Sequence, residues 1–183
     1  AQRPSRLRHS VARGRRRLDR AGPWRVEIHL NDPSGVERAL EAYLAIYAQS
    51  WKVPEPCPGF MPGLVRMAAV EGWLRLGVLW LGNVPVAAQV WLVHGAKANI
   101  YKLAYVKGQE KLSAGSVLTA ALMQHVMDED HVSEVDYLSG DDTYKRDWMA
   151  QRRERVGLVA FDPRSPRGLA AATRHFGGRW IRR

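Results

Sequence analysis

The sequence predicts one mixed α/β domain, a mostly antiparallel sheet flanked by helices. Three observations predict it. Residues Trp73 to Val106 hold three successive runs of period-two hydrophobicity, the signature of adjacent half-buried strands. The segments on either side, Val36 to Trp51 and Ser113 to Asp128, place apolar residues at helical spacing instead. A length of 183 residues fits a single core that buries roughly 70% of the unfolded surface.

Taken in order, residues 1–22 are rich in arginine and poor in apolar side chains, which reads as a solvated, partly helical arm. Ser10 is placed to cap a short basic helix to Arg20, and Gly22-Pro23 stops it. Trp24 to Leu30 alternates Val26, Ile28 and Leu30 with Arg25, Glu27 and His29, a first strand. Asp32 as cap and Pro33 at the first helical position open a helix whose stripe of Val36, Ala39, Leu40, Tyr43, Leu44 and Tyr47 runs to Trp51. Lys52 to Pro62 holds four prolines and is a loop, with Pro62 starting a short helix to Glu71.

Strands are then expected at Trp73–Leu81, Val84–Val93 and Ala98–Val106, the first two joined by a Gly82-Asn83 hairpin. A helix at Ser113–Asp128 carries Leu118, Ala121, Leu122, His125 and Val126 on one face. A fifth strand at Glu134–Leu138, a Gly-Asp-Asp loop and a sixth strand at Val156–Phe161 follow. Ser165-Pro166 caps a last helix through Leu169, Thr173 and Phe176, closed by Gly177-Gly178.

Composition narrows the function classes. With 46% hydrophobic and 25% charged residues the chain is neither disordered nor fibrous. Cys57 alone forms no internal disulfide and no multi-thiolate metal site, which suits a reducing, cytoplasmic setting. The net charge of +10 sits at the ends. Residues 1–25 hold nine arginines against Asp19, residues 164–183 hold six arginines and no acid, and residues 26–163 hold 13 Lys+Arg against 17 Asp+Glu. A basic face spread over the whole fold is therefore excluded, while polyanion binding at the ends is not. The apolar run Gly77 to Val93 is broken by Gly82-Asn83 and Pro85, so two strands explain it better than a membrane span.

The order of elements, with WLRLGVLWLGNVPVAAQVWLV from Trp73, YKLAY from Tyr101, SAGSVL from Ser113 and DYLSGDDTYKRDW from Asp136, resembles the GNAT acyl-CoA transferases. Within them it is similar to the BioF2-like and cellulose-biosynthesis acetyltransferase group, itself akin to the Fem peptidyltransferases. The resemblance spans residues 24–162. It implies a GNAT-type domain over residues 24–183, after an arm or linker at 1–23, as the C-terminal half of a longer protein. It also implies a splayed sheet: the fourth strand parts from the fifth, the pantetheine of acetyl-CoA or another acyl-CoA lies in the opening, and the pyrophosphate meets amides at the next helix start.

On this sequence the resemblance puts the co-substrate against Leu103, Ala104 and Tyr105 and at Ser113, Ala114, Gly115, Ser116 and Val117, with Lys107 and Lys111 near its phosphates. A helix start binds phosphate through open N–H groups and its dipole, and glycine allows close approach. The family's phosphate loop carries a second small residue where this chain has only Gly115, and the group's usual Ser-Pro-Gly is Ser-Ala-Gly here.

Transfer from a thioester needs a base, oxyanion donors and an acid for the thiolate. The loop SGDDTYK offers Asp141 or Asp142 as base, Tyr144 as acid and Lys145 to orient an anionic acceptor, with backbone near Leu103 and Ala104 as oxyanion donor. The same residues also read as a helix cap, with Tyr144 and Trp148 as core contacts. His125, Asp128 and His131 lack a shared face for a metal, so none is expected. Cys57 has no base nearby in sequence, and the seven tryptophans read as core.

The expected function is acyl transfer from acyl-CoA to an amine or hydroxyl of a small molecule or envelope saccharide. Two alternatives remain: a Fem-like transfer from aminoacyl-tRNA, and a non-enzymatic module whose arginine-rich ends hold a polyanion. Nucleic acid ranks below a small acceptor as a partner, and an N-terminal companion domain is the other partner expected.

Overall fold

The computed structural model describes residues 5–154 and 156–180, with side chains to residue 177. Two units divide the chain, Ala1–Ala150 and Gln151–Arg183.

In the first unit the elements are α1 (Ser5–Ala21), β1 (Trp24–His29), α2 (Pro33–Ala48), α3 (Phe60–Val70), β2 (Leu74–Leu81), β3 (Val84–His94), β4 (Lys97–Tyr105), a 3₁₀ turn (Glu110–Leu112), α4 (Ala114–Asp128), β5 (Glu134–Asp136) and α5 (Thr143–Trp148). Strand order is β1-β2-β3-β4-β5, antiparallel throughout except for β5, which runs parallel to β4. The order follows from the hairpins, because short turns force consecutive strands to pair antiparallel, whereas β5 returns through the crossover helix α4.

Alternation along the strands gives the sheet two apolar faces. Leu74, Leu76, Val78 and Val90 face α2 and α3, while Leu79, Ala87, Trp91 and Ile100 face α1 and α4. Asp32 caps α2 by accepting from the Gly35 amide at 2.7 Å, with Pro33 at the first helical position as expected. Among the described residues no helix is long and apolar enough to cross a membrane.

Three expectations give way. In place of a solvated arm, residues 5–21 form a continuous helix in which Leu7, Gly14 and Leu18 are buried. Spacings of three and four put these residues and Val11 on one stripe, and that stripe packs on α4. A Cβ at Gly14 would stand 2.9 Å from Val117 Cγ2 and 3.2 Å from Ser113 Cβ, so only glycine lets the two helices come this close. In the second unit, Val156–Phe161 forms no strand, and Val156 and Leu158 are almost fully exposed. Alternation alone does not make a strand where none of the described residues 151–180 offers an edge to pair with. The last helix, α6 (Pro166–Trp180), starts as expected with the Gly168 amide on the Ser165 hydroxyl, but continues through Gly177-Gly178.

The packing of α1 sets the first test. Leu18 is fully buried, so Leu18→Ala should cost about 2–5 kcal/mol of unfolding free energy in a denaturant titration.

Candidate functional site

Strand β4 presents an open edge beyond its short pairing with β5. Its outer edge pairs with β5 only at Lys97–Glu134, Ala98–Val135 and Asn99–Asp136. Lys97 Nζ clasps the two strands there, 3.0 Å from Glu134 and 2.8 Å from Asp136. From Ile100 to Tyr105 that edge has no strand partner among the described residues, and Leu103, Ala104 and Tyr105 lie along it. A bulge falls in this stretch: Val90 faces Lys102 and Trp91 faces Ile100, which leaves Tyr101 unpaired. A bulge bends its strand and re-aims its neighbours.

The helix start expected to hold phosphate sits at the end of this strand. Ser113 adopts a left-handed conformation with φ 55°, which turns the chain from the 3₁₀ turn into α4. The Ser113 and Val117 amides bond back to Glu110 and Ser113 carbonyls, whereas those of Ala114, Gly115 and Ser116 have no backbone acceptor among the described residues. A Cβ on Gly115 would stand 3.4 Å from Tyr105 Cδ1, so the turn and the strand end are in contact. Lys107 and Lys111 are exposed beside it.

Two sets of bonds fix this helix start. The Gln89 side chain, 1% exposed on β3, donates to the Gly115 carbonyl at 3.0 Å and to Thr119 Oγ1 at 2.8 Å, and accepts from the Trp91 indole at 2.8 Å. From α1, Arg17 donates to the Lys111 carbonyl at 2.8 Å and to Ser113 Oγ at 3.3 Å.

The loop after β5 gathers the expected catalytic group on α5. Asp141 pairs with Arg146 at 3.2 Å and Asp142 with Lys145 at 3.3 Å. Lys145 also donates to the Ser139 carbonyl at 2.6 Å. The Tyr144 ring meets Tyr137 edge-on at 5.7 Å, and burial, helped by the charge of Asp142, holds its hydroxyl above the usual phenol range. Trp148 is buried and serves the core, but Tyr144 stays 44% exposed, so only one of the two aromatic residues fills the packing role.

A second polar cluster was not legible in the sequence. Glu55, in the loop after α2, accepts from Lys102 of β4 and from the Tyr47 hydroxyl at 2.9 Å. These bonds hold its carboxyl below the usual range, Lys102 contributing most. Burial, and then the bond to Glu55, push Tyr47 up to about 12. Tyr43 lies against Tyr47 with its ring centroid 5.7 Å away, and its buried hydroxyl has no hydrogen-bond partner among the described residues. The cluster therefore stands on the α2 face, one residue beyond the bulge. The only clue in the sequence is an acid in a proline-rich loop, because its lysine partner lies 47 positions away.

Elsewhere, His125 stands 4.0 Å from Asp130. No three His, Cys, Asp or Glu side chains converge among the described residues. Cys57 is exposed.

A family model described as Acetyltransferase (GNAT) domain matches residues 5–146. A search of curated proteins finds no match. Among solved structures, the fold is similar to an aminoglycoside acetyltransferase from an uncultured soil metagenomic sample, in complex with trehalose, at 15% identity and TM-score 0.52 over 75% of this chain and 95% of that one. It is similar to AAC(6')-Iy in complex with the bisubstrate analogue CoA-S-monomethyl-acetylneamine, at 11% identity and TM-score 0.53 over 74% and 97%. It also resembles glucosamine-6-phosphate N-acetyltransferase from Arabidopsis thaliana, at 9% identity and TM-score 0.51 over 74% and 98%.

Two outcomes follow from this geometry. Gln89→Leu keeps the bulk and removes the amide, leaving the Trp91 indole without its acceptor. It should cost about 1–3 kcal/mol in denaturation and weaken CoA binding in calorimetry. Glu55 has a lowered folded pKa, so its stabilisation is complete above the ordinary carboxylate range and fades as pH falls through the folded value. Glu55→Gln should therefore lower the melting temperature at pH 7, by an amount that shrinks as pH falls through the carboxyl's folded pKa.

Proposed function

The chain belongs to the GNAT acetyltransferase family, and from that premise we propose that it transfers an acyl group from acyl-CoA to an amine or hydroxyl acceptor. The open β4 edge from Ile100 to Tyr105, ending on the free amides of Ala114, Gly115 and Ser116, carries this reading. An extended thiol arm takes up strand-edge bonds, and a phosphate takes up open amides at a helix start. The residues fit such a co-substrate, because Gly115 presents no side chain at the turn and Lys107 and Lys111 are exposed beside it.

Acyl-CoA supplies an electrophilic thioester carbonyl when bound. In the proposed step the acceptor nitrogen or oxygen bonds to that carbon, the carbon–sulfur bond breaks, the acceptor's proton passes to a carboxylate and the thiolate receives one. Tyr144 suits the last role, since a phenol carries its proton at neutral pH and this one stands at the start of α5 beside Asp142. Asp141 or Asp142 is the proposed base, and Lys145, held by Ser139, orients an anionic acceptor. Backbone near Leu103 and Ala104 is the proposed oxyanion donor. The YKLAY, SAGSVL and SGDDTYK strings support a place in the BioF2-like and cellulose-biosynthesis group, acting in the cytoplasm on a small molecule or saccharide.

Calorimetry with acetyl-CoA tests the donor site: Gly115→Val should weaken binding at least tenfold without unfolding the protein, and unchanged affinity refutes the site. For chemistry, Tyr144→Phe should slow transfer, or the background hydrolysis of acetyl-CoA, by roughly 10²–10⁴-fold with packing intact.

A further inference from the structure

We propose that the exposed face of α1 docks the phosphate backbone of a nucleic-acid strand. The face is built by spacing. Arg6, His9, Arg13, Arg16 and Arg20 recur every three or four residues, Arg17 lies four after Arg13, and all six share one side of the helix and are exposed. Leu7, Val11, Gly14 and Leu18 occupy the opposite side, against α4.

The charge on this face is not neutralised from within. Arg6, Arg13, Arg16 and Arg20 pair with no acid among the described residues. The one acid of the helix, Asp19, accepts from the Trp24 indole at 2.7 Å. Arg13 with Arg17 and Arg16 with Arg20 are like charges four apart, each pair costing about 0.2–0.5 kcal/mol of helix stability. An external anion relieves that repulsion, and packing on α4 sustains the helix without it.

Three features select a nucleic-acid strand. Every member of the stripe save His9 carries a guanidinium, whose planar fork matches phosphate with two parallel bonds. From Arg6 to Arg20 the stripe is about 21 Å long, too long for a compact anion and matched to several successive phosphates. No large apolar side chain is exposed on α1, so the helix lacks what a lipid-inserting helix buries in a membrane surface. Between residues 26 and 150 acids outnumber Lys and Arg, so within the first unit the attraction falls on α1 rather than on the sheet and its other helices.

Fluorescence anisotropy on the full chain tests this with a labelled RNA of about 20 nucleotides over a salt series. Micromolar binding at low salt is expected, with a log–log salt slope near −3, about 0.7 for each of four neutralised phosphates. The variant Arg6→Gln, Arg13→Gln, Arg16→Gln, Arg20→Gln should bind at least tenfold more weakly with a flatter slope and a melting temperature no lower than that of the parent, since both like-charge pairs are gone. Arg16→Gln alone gives a smaller loss in the same direction, should the fourfold variant fold poorly. Arg167→Gln with Arg174→Gln, in α6, should leave the affinity unchanged. Equal RNA binding by the fourfold variant, loss of binding in the α6 variant, or binding to phosphatidylserine vesicles without binding to RNA would each overturn the proposal.

Discussion

The amide of Gln89 fixes the distance between the sheet and the start of α4, and the place of that helix start beside the open β4 edge depends on it. Three of its bonds are made inside the core, to the Gly115 carbonyl, to Thr119 and from Trp91. A buried amide with its groups satisfied specifies one arrangement, because any slip of α4 along β3 strands several polar atoms at once. The other end of the helix is held as firmly. Asp130, just past α4, receives both prongs of Arg75 from β2, with the two side chains only 13% and 12% exposed. Between the anchors, Gly77 of β2 leaves room for Leu118 and Leu122, since a Cβ there would stand 2.9 Å from Leu122 Cδ1.

Holding α4 in this way leaves its first turn with little else to do. Its open amides are not consumed by packing, and Ser113 reaches its left-handed conformation under constraint from both sides: Gln89 behind Gly115 and Arg17 on the Lys111 carbonyl. A left-handed residue that is not glycine costs of order 1–3 kcal/mol, and it persists where the surroundings over-determine it. The single glycine of the turn is then sufficient. Closeness comes from α1 and β3 rather than from a loop with more glycines.

Much of this fold was legible in the sequence where its signals are local. The meander from Leu74 to Tyr105 was read from its period and its Gly-Asn turn, and α2 from Asp32 and Pro33. What escaped depends on partners. The α1 stripe was present as Leu7, Val11, Gly14 and Leu18, but nine arginines in residues 1–25 mask four small or apolar positions, and burial requires α4 to receive them. Val156 to Phe161 carries strand-like alternation and lacks an edge. The bulge at Tyr101 is a property of pairing, so no residue type announces it. In the site, the positions on β4 and at the α4 start were expected from the family resemblance, whereas Glu55 was out of reach because its carboxylate is defined by Lys102, distant in sequence.

The bulge also divides labour between the two faces of β4. Leu103 and Tyr105 belong to the α4 face, where the turn at Gly115 lies, while Tyr101 and Ala104 belong to the α2 face, where Lys102 holds Glu55. Direct transfer between two bound molecules requires each to reach one point without occupying the other's approach. On the proposed reading the donor arrives along the open edge from the α4 side. The polar cluster of Glu55, Tyr47 and the Tyr43 hydroxyl is then left on the other face, within a residue of the bulge. An acceptor hydroxyl or amine on that side would meet a carboxylate that Lys102 keeps ionised, so that on the proposed reading donor and acceptor approach the bulge from opposite faces of the strand.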